Sequence, residues 1–313
     1  MATAVAPKKV LKIAAPDLLR DLDLTGDELA ALLDLTEDVK RTPRSYARAL
    51  EGKSIALLFE KPSLRTRLTF ELAIQQLGGH AVFCEGPIGA REPLQDVARN
   101  LDRWVNGIVA RVFAQETADG LARWSSVPVI NALSDLYHPC QALADVATIR
   151  ERFGKLNGLK LAFIGDGNNV AQSLMLTALR LGMDFTLACP QGYTPNPEIV
   201  AQAEGLAAVS RTTLTITHDT DQGLEGAHAV YTDVWASMGQ EKEATRKKKA
   251  FQAYQVDQEM FAKAQPDAIF MHCLPARRGE EVTDGVIEGQ RSAVFDQAEN
   301  RLHAQKALLM MML

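Results

Sequence analysis

The sequence holds a short segment of hydroxyl and basic side chains, Ser63–Arg67, with the sequence SLRTR. An apolar run of strand length, Ser54–Phe59, precedes it, and apolar residues recur at helical spacing from Arg65 onward. Pro62 lacks a backbone donor and Ser63 is a good N-cap, so the segment is predicted to begin a helix. A helix N-terminus attracts anions, and hydroxyl and guanidinium groups add to this attraction. The segment is therefore either an anion site, most naturally for phosphate, or a capped helix with exposed arginines.

Further polar residues lie next to later predicted strands. Arg111 interrupts the apolar run Ile108–Phe113, where a charge is costly unless it is paired or bound to an anion. His138 precedes a proline that suits a first helical turn, so its imidazole and the Gln141 amide would face one ligand. Ligands of open parallel sheets bind outside the carboxyl ends of the strands, which makes these residues candidates. A hydrogen-bonded structural role for His138 is the alternative.

The segment Gly165–Val170, with the sequence GDGNNV, opens the second half of the chain. It suggests a dinucleotide-binding turn, but Val170 stands where that pattern needs glycine or alanine. Asp184 is a weak match to the acid that would bind a ribose. The two asparagines suit another task, because amides at the start of a helix can bind a zwitterionic ligand. These residues alone leave both kinds of ligand open.

Asp233 and Cys273 each follow a predicted strand of the second half. A carboxylate near a thiol could hold an amine. His272 beside Cys273 suggests a pair of metal ligands, yet adjacent residues of a strand point to opposite faces of the sheet. We therefore predict no metal site.

Alternating strand-like and helical runs must position these residues. Residues 1–50 are rich in leucines at helical spacing, and strands then alternate with helices in both halves of the chain. The alternation predicts an α/β fold of two domains, each a mainly parallel sheet flanked by helices. The turn Gly154–Gly158 is the predicted boundary, which gives domains of residues 1–150 and 151–313. The apolar last helix needs burial, so about residues 295–313 are predicted to pack back on the first domain.

Composition is that of an ordinary soluble globular protein. The chain has 313 residues, of which 47% are hydrophobic and 23% charged, enough for a buried core in each of two domains. A formal net charge of -5 argues against a surface that coats nucleic acid. The basic run Arg246–Lys249 is a local exception, and we interpret it as a solvated helix face.

Cysteine usage and the chain's N-terminus bear on location. Cys84, Cys140, Cys189 and Cys273 are scattered without paired spacing, which predicts free thiols in a reducing compartment. The N-terminus lacks the long apolar core of a secretion signal. No apolar run approaches the roughly 18 residues that span a bilayer. The cytoplasm is the expected location.

These segments together resemble the aspartate/ornithine carbamoyltransferase family, from about residue 17 to the C-terminus. Ser63–Arg67 is similar to the STRTR phosphate loop of the family. Arg111, His138 and Gln141 match its carbonyl-side residues, and Arg301 matches a late arginine of the same pocket. The segments occur in family order, and the resemblance implies one domain for carbamoyl phosphate and a second for ornithine.

Two signatures mark the ornithine branch of the family, and this sequence has both. Asp233–Gly239 fits the pattern DxxxSMG, and His272–Pro275 is HCLP. The resemblance implies transfer of the carbamoyl group of carbamoyl phosphate to the side-chain amine of L-ornithine, which gives L-citrulline and phosphate in arginine biosynthesis. It also implies a homotrimer or a multiple of trimers. We expect no cofactor, nucleic acid or membrane as a partner.

The resemblance implies a role for each matched residue. The expected catalytic residues are Arg111, His138, Asp233 and Cys273. The expected carbamoyl phosphate-binding residues are Ser63, Leu64, Arg65, Thr66, Arg111, His138, Gln141, Cys273, Leu274 and Arg301. The expected ornithine-binding residues are Asn169, Asp233, Ser237 and Met238.

Departures from the family pattern bear on these expectations. Leu64 replaces the usual threonine of the phosphate loop, at a position expected to contribute mainly its backbone. Pro87 stands where many members have a glutamine that reaches a neighbouring subunit's phosphate, so that contact is in question. Pro62 is shared with relatives that act on N-acylornithine, which leaves an N-acylated ornithine as an alternative substrate, and putrescine is another. A dinucleotide-dependent oxidoreductase and a non-catalytic ligand-binding relative are further alternatives. The sequence leaves the metabolic direction and allosteric control open.

Overall fold

The computed structural model describes residues 10–236 and 243–313, and the chain divides into two compact units. The first unit comprises the residues up to Ala147 together with Glu299–Leu313, and the second comprises Thr148–Ala298. Each unit has one parallel sheet flanked by helices, so the predicted fold class is confirmed. No helix among the described residues is long and apolar enough to cross a membrane.

The first unit is built on a parallel sheet of four strands in the order β2-β1-β3-β4. Its middle strands are buried along nearly their whole length, as expected where helices cover both faces. The chain moves from β1 to β2 on one side and then returns to β3 on the other, so the strand order reverses between β1 and β3. The strands are β1 (Ser54–Phe59), β2 (His80–Glu85), β3 (Gly107–Arg111) and β4 (Val129–Leu133), and the helices are α1 (Gly26–Arg41), α2 (Leu64–Gln76), α3 (Leu94–Trp104), α4 (Gln115–Trp124) and α5 (Pro139–Phe153).

The second unit repeats this plan with five parallel strands in the order β7-β6-β5-β8-β9. Here the strand order reverses between β5 and β8. The strands are β5 (Lys160–Ile164), β6 (Asp184–Ala188), β7 (Leu214–Thr217), β8 (Ala229–Thr232) and β9 (Ile269–His272). The helices are α6 (Asn169–Arg180), α7 (Pro197–Ser210), α8 (Thr220–Leu224), α9 (Ala244–Phe251), α10 (Gln258–Phe261) and α11 (Asp284–Ile287).

The last helix, α12 (Val294–Met312), packs against helices of the first unit, as predicted. Lys40 on α1 donates to Asn300 at 3.0 Å, and Lys306 donates to Gln76 on α2 at 2.5 Å. The apolar C-terminal turns of α12 are buried, which explains why a helix ending in leucines and methionines is compatible with a folded domain.

The helical spacing of leucines in residues 1–50 predicts helix, and among the described residues this is confirmed for α1 and wrong for the segment before it. The helix α1 begins after Thr25, whose side chain and that of Glu28 cap each other's backbone N–H groups. Before it, Leu18 runs alongside β4, since its N–H donates to the Val129 carbonyl at 2.9 Å. Leucine periodicity alone could not separate the segment beside the sheet from the helix. The short helices α8 and α11 were not predicted, because so few turns leave little periodic signal, whereas α9 contains the basic run interpreted as a helix face.

A glycine follows the C-terminal end of α2. Gly78 follows the helix with a φ of 85°, a conformation that other residues rarely adopt. A Cβ at this position would lie 2.7 Å from the carbonyl oxygen of Ala47, so a larger residue would also clash. The turn directs the chain into β2.

Candidate active site

The N-terminus of α2 lies beside the reversal of strand order in the first sheet. Ser63 is its N-cap, as predicted, and its Oγ accepts a hydrogen bond from the Thr66 N–H at 3.2 Å. Leu64 is the first helical residue, and its side chain is exposed. Arg65 is half-buried, whereas Thr66 is fully buried. The first turn of the helix therefore offers backbone N–H groups and polar side chains at the position where open parallel sheets bind ligands.

Two guanidinium groups meet at the buried hydroxyl of Thr66. Arg301 Nη2 donates to Thr66 Oγ1 at 2.7 Å, and Arg111 Nη1 donates to the same oxygen at 3.4 Å. Arg301 Nη1 donates to Gln141 Oε1 at 3.0 Å. All four side chains are buried. Residues separated by more than 200 positions in sequence thus form one cationic cluster, which favours an anion or a polarised carbonyl oxygen.

His138 lies directly before α5 and belongs to the same electropositive region. Burial lowers its pKa well below the ordinary value, and the positive charges of Arg301, Arg111 and Lys61 lower it further. The imidazole is therefore neutral at physiological pH. A neutral imidazole can donate one hydrogen bond to a carbonyl oxygen without giving up its proton.

Arg67 is directed away from this cluster, although its sequence position suggested that it would share the anion site with Arg65. Its guanidinium group lies 3.7 Å from the centre of the Phe83 ring on the edge strand β2. Its Nε donates to Glu71 at 3.0 Å. The helical turn separates the two arginines, because residues two apart do not share a helix face.

Two further charged residues, Glu60 and Lys61, lie in the loop between β1 and α2 and were not predicted as site residues. Lys61 is buried, with its Nζ 5.0 Å from the centre of the Phe113 ring. Burial and the neighbouring Arg111 lower the pKa of Lys61 to about 8. Glu60 accepts hydrogen bonds from the N–H groups of Ile88 at 3.2 Å and Phe113 at 2.8 Å, which joins the loops after three strands. The available signal was their position in the same strand-to-helix loop as Ser63.

Asp145 was also missed, and it orients one of the predicted residues. Gln141 Nε2 donates to Asp145 Oδ1 at 2.7 Å, a pairing one helical turn apart on α5. This bond directs the Gln141 oxygen toward Arg301. The four-residue spacing on a predicted helix was the signal that would have identified it.

In the second unit, Asp233 follows β8 beside the reversal of strand order between β5 and β8. Its Oδ2 accepts from Asn168 Nδ2 at 2.8 Å, and its Oδ1 accepts from Cys273 Sγ at 3.0 Å and from the Val234 N–H at 2.8 Å. The structure therefore brings the predicted carboxylate and thiol together. Because β5, β8 and β9 are neighbours, the tips of three strands converge on this carboxylate.

The two asparagines of the GDGNN segment have different roles. Asn168 caps α6 through its Oδ1, which accepts from the Val170 and Ala171 N–H groups, while its Nδ2 reaches Asp233. Asn169 is the first residue of α6, and its side chain accepts from the Val170 N–H at 3.1 Å. The family resemblance implied Asn169 as the ligand-binding residue, whereas it is Asn168 that donates to the Asp233 carboxylate.

The loop after β9 has a strained backbone. Leu274 has a φ of 57°, which is uncommon for a residue other than glycine. Its N–H donates to His272 Nδ1 at 2.8 Å, and His272 Nε2 lies 3.1 Å from the buried Glu281. The ligand atoms of Asp233, His272 and Cys273 lie within 4.8 Å of one another, because β9 ends at His272 and the alternation of faces ends with it. Both ring nitrogens of His272 take part in these hydrogen bonds with Leu274 and Glu281.

Ser237 and Met238 lie outside the described residues. The basic run Arg246–Lys249 is a solvated helix face, as interpreted, except at Lys247. Lys247 is buried and forms an ion pair with Asp166, while Lys248 and Lys249 are exposed. Amphipathic spacing could not reveal this, since the other members of the run are equally charged.

The fold and the side chains define a class of protein: a two-unit α/β protein with a cationic site in one sheet and an acidic site in the other. The family model described as "Aspartate/ornithine carbamoyltransferase, carbamoyl-P binding domain" matches residues 16–151. The model described as "Aspartate/ornithine carbamoyltransferase, Asp/Orn binding domain" matches residues 157–312. The chain belongs to the aspartate/ornithine carbamoyltransferase family.

Individual relatives agree with this assignment. The ornithine carbamoyltransferase of Thermococcus kodakarensis is 49% identical over 305 residues, which cover 96% of this chain and 97% of the relative. The ornithine carbamoyltransferase of Thermus thermophilus is 51% identical over 298 residues, which cover 93% and 96%. The solved structure of ornithine carbamoyltransferase from Pyrococcus furiosus superposes with a TM-score of 0.93 at 46% identity and covers 96% of this chain and 98% of that one.

Proposed function

We propose that this chain transfers the carbamoyl group of carbamoyl phosphate to the side-chain amine of L-ornithine, which yields L-citrulline and phosphate. The observation that carries the proposal is the hydrogen-bonded pair of Asp233 and Cys273 at the strand tips of the second unit. It occurs in a chain whose first unit has the cationic cluster around Thr66. Relatives about 50% identical over nearly their whole length are named ornithine carbamoyltransferases.

The first turn of α2 is assigned to the phosphate. Ser63, the Leu64 N–H, Arg65 and Thr66 would bind its oxygens, since a helix N-terminus favours a dianion. The buried cations nearby support this assignment, because their charge is balanced when the anion is bound. The exposure of the Leu64 side chain agrees with a contribution from its backbone alone.

Thr66, Arg111 and His138 are assigned to the carbonyl oxygen, where negative charge develops during attack. Fixed donors aimed at such an oxygen contribute roughly 2.7–4 kcal/mol each to the rate. The low pKa of His138 suits this role, because the ring stays neutral and donates without protonating the substrate. Gln141, held by Arg301 and Asp145, is assigned to the carbamoyl amide.

The second unit is assigned to ornithine. The side-chain amine must be neutral to attack, although a free alkylamine has a pKa of about 10.4. Asp233 and Cys273 would position its nitrogen, while Asn169, Ser237 and Met238 would bind the α-amino and carboxylate groups. Cys273 and Leu274 would also contact carbamoyl phosphate. The nitrogen forms a bond to the carbamoyl carbon, the bond to the phosphate oxygen breaks, and the proton released by nitrogen passes to phosphate. This displacement is redox-neutral and needs no cofactor.

Ornithine is favoured over other amines by the contact between Asp233 and Cys273 together with the Ser237–Gly239 sequence. N-acetylornithine, putrescine and aspartate are the alternatives, of which the first is suggested by Pro62. The test is citrulline formation from carbamoyl phosphate with each of the four amines at equal concentration. We expect ornithine to give the highest kcat/KM, and a preference for any other amine would overturn the substrate assignment.

The biosynthetic direction is supported by a relative from Pyrococcus furiosus, 47% identical, which is named anabolic.

We also assign the chain to a homotrimer or a multiple of trimers. An apolar stripe on α2 supports association, because Leu64, Leu68 and Leu72 follow one face and are 70%, 45% and 40% exposed. Light scattering after gel filtration should give a mass of three chains or a multiple of three. Leu68→Glu should lower that mass, whereas the same substitution at the exposed Val209 should leave it unchanged. A monomeric wild-type chain would contradict the assignment.

A cytoplasmic location is supported by the four cysteines, which are free thiols.

A further inference from the structure

The buried lysine of α9 has no part in the mechanism above. The side chain of Lys247 is only 5% exposed, although its neighbours Lys248 and Lys249 are exposed. Its Nζ lies 2.5 Å from Asp166 Oδ2 and 5.8 Å from the centre of the Tyr193 ring. A lysine is rarely buried unless its charge is compensated. The ion pair therefore ties α9 to the turn that follows β5.

That turn is held from a second direction. The Gly167 N–H donates to the Tyr193 carbonyl at 2.9 Å. A Cβ at Gly167 would lie 2.4 Å from the Pro195 nitrogen, so the segment around residue 194 packs directly on the turn. The turn is thus fixed by backbone packing on one side and by Lys247 on the other.

The Gly165–Asn168 turn also orients Asp233, the carboxylate that is assigned to the amine. Asn168 comes two residues after Asp166, and its Nδ2 donates to Asp233 Oδ2 at 2.8 Å. The Asn168 Oδ1 is committed to the N-terminus of α6, so its amide has little freedom to follow a displaced turn. A shift of Asp166 would therefore alter the hydrogen bond that holds Asp233.

The same residues also interact electrostatically. Asp166 faces Lys247 and Glu243 from the α9 side, Asp233 from the tip of β8 and the Cys189 thiol from the tip of β6. Burial raises the pKa of Asp166, the hydrogen bond and positive charge of Lys247 lower it, and the two other carboxylates raise it. Lys247 thus compensates a second carboxylate beside Asp233.

We propose that Lys247 is a positioning residue for the amine substrate: its pairing with Asp166 fixes the Gly165–Asn168 turn and cancels a negative charge beside Asp233. The proposal rests on the proposed function, since the amine is the group that Asp233 is assigned to hold. Without Lys247, the Asp166 carboxylate would stabilise the ammonium form of the bound amine and so raise its pKa. The enzyme would then need a higher pH to generate the nucleophile.

The test is the pH dependence of kcat for citrulline formation, which reports ionisations in the enzyme–substrate complex. Lys247→Met should move the acid limb upward by about 0.5–1 pH unit, the size expected for one uncompensated, partly buried charge. Asp166→Asn should move it downward, because Lys247 is then uncompensated. The double variant Asp166→Asn/Lys247→Met should restore the wild-type limb. The KM for carbamoyl phosphate should stay within about 2-fold of the wild-type value in all three, as expected for charge changes confined to the second unit.

Lys249→Met is the matched control, because it removes the same charge from an exposed position on the same helix. Its limb should coincide with the wild type. If Lys247→Met behaves like this control while the wild type makes citrulline from ornithine, the inference is wrong and the proposed function stands. If Lys247→Met does not fold, the limbs of Asp166→Asn and the double variant decide the question. Equal limbs in those two variants would overturn the inference.

Discussion

The two units use the same position in their sheets for opposite charges. In the first, the order of strands reverses between β1 and β3, and the side chains gathered there include Lys61 and Arg111. In the second, the reversal lies between β5 and β8, and the side chains include Asp166 and Asp233. Topology thus determines where a ligand binds, and side-chain charge determines which ligand it is.

The two sites also differ in how their charges are compensated. The acidic site is balanced from within its unit, since Asp233 accepts from Asn168 and Cys273 and Asp166 pairs with Lys247. The cationic site concentrates several positive charges that lower the pKa values of His138 and Lys61. A dianion suits the cationic site of the first unit, and an uncharged amine suits the acidic site of the second unit. This difference leads to separate kinetic signatures for variants of each unit.

The largest effect is expected from Arg65→Ala. Loss of one charged contact to a dianion should lower kcat/KM for carbamoyl phosphate by about 100-fold or more. Arg67→Ala is the matched control on the same helix, because its guanidinium group stacks on Phe83 instead. Steady-state kinetics with carbamoyl phosphate varied would check this. Similar losses in both variants would mean that the cationic site is not where we assign it.

Asp233→Asn should produce the complementary phenotype. Removing the carboxylate assigned to the amine should lower kcat/KM for ornithine by about 10- to 100-fold. The KM for carbamoyl phosphate should change by less than about 3-fold, since that substrate is assigned mainly to the first unit. Initial rates with each substrate varied separately would measure both values. A larger effect on carbamoyl phosphate than on ornithine would contradict the division of labour between the units.

Lys61 should make carbamoyl phosphate binding sensitive to alkaline pH. Because its pKa is lowered to about 8, Lys61 loses its charge above that pH and attracts the dianion less strongly. The KM for carbamoyl phosphate should rise by about 3-fold between pH 7.5 and 9. Lys61→Arg keeps the charge over this range and should abolish the rise. A wild-type KM that stays constant with pH would exclude Lys61 from the anion site.

The smallest effect concerns stability at acid pH. The folded-state pKa of His138 is depressed, so the unfolded chain takes up its proton first as the pH falls. Protonation of His138 therefore does not affect the unfolding free energy above its unfolded-state pKa of about 6.5. The unfolding free energy falls as the pH decreases below that value. From pH 7 to 5.5, the wild type should lose about 1 kcal/mol more unfolding free energy than His138→Gln. Denaturant titrations at both pH values would measure the difference. Equal losses would mean that the ring is charged in the folded state.

The sequence was sufficient to predict the sheets because their strands are short apolar runs separated by polar loops. The helix start at Ser63 and the pairing of Asp233 with Cys273 also followed from local patterns, once both residues were placed at strand tips. The segment around Leu18 could not be predicted, because its partner is a strand more than 100 residues away. Local periodicity does not contain such information.

The parts of the site that escaped prediction depend on tertiary packing. Lys247 and Lys249 lie in one basic run, yet only contact with Asp166 distinguishes them. Asn168 and Asn169 are adjacent amides, and the choice between them is set by the direction of the first turn of α6. The role of Arg301 near Thr66 came from family resemblance and not from spacing, since the two residues are 235 positions apart.

The central claim is that a cationic site and an acidic site act on the same transfer. It is tested most directly by a crystal structure with a bisubstrate analogue in which a phosphonoacetyl group is joined to the side-chain nitrogen of ornithine. We predict that the phosphonate lies at the N-terminus of α2 in contact with Arg65, and that the linking nitrogen lies beside Asp233. An analogue bound with its phosphonate remote from Arg65, or with its amino-acid portion remote from Asp233, would contradict the account.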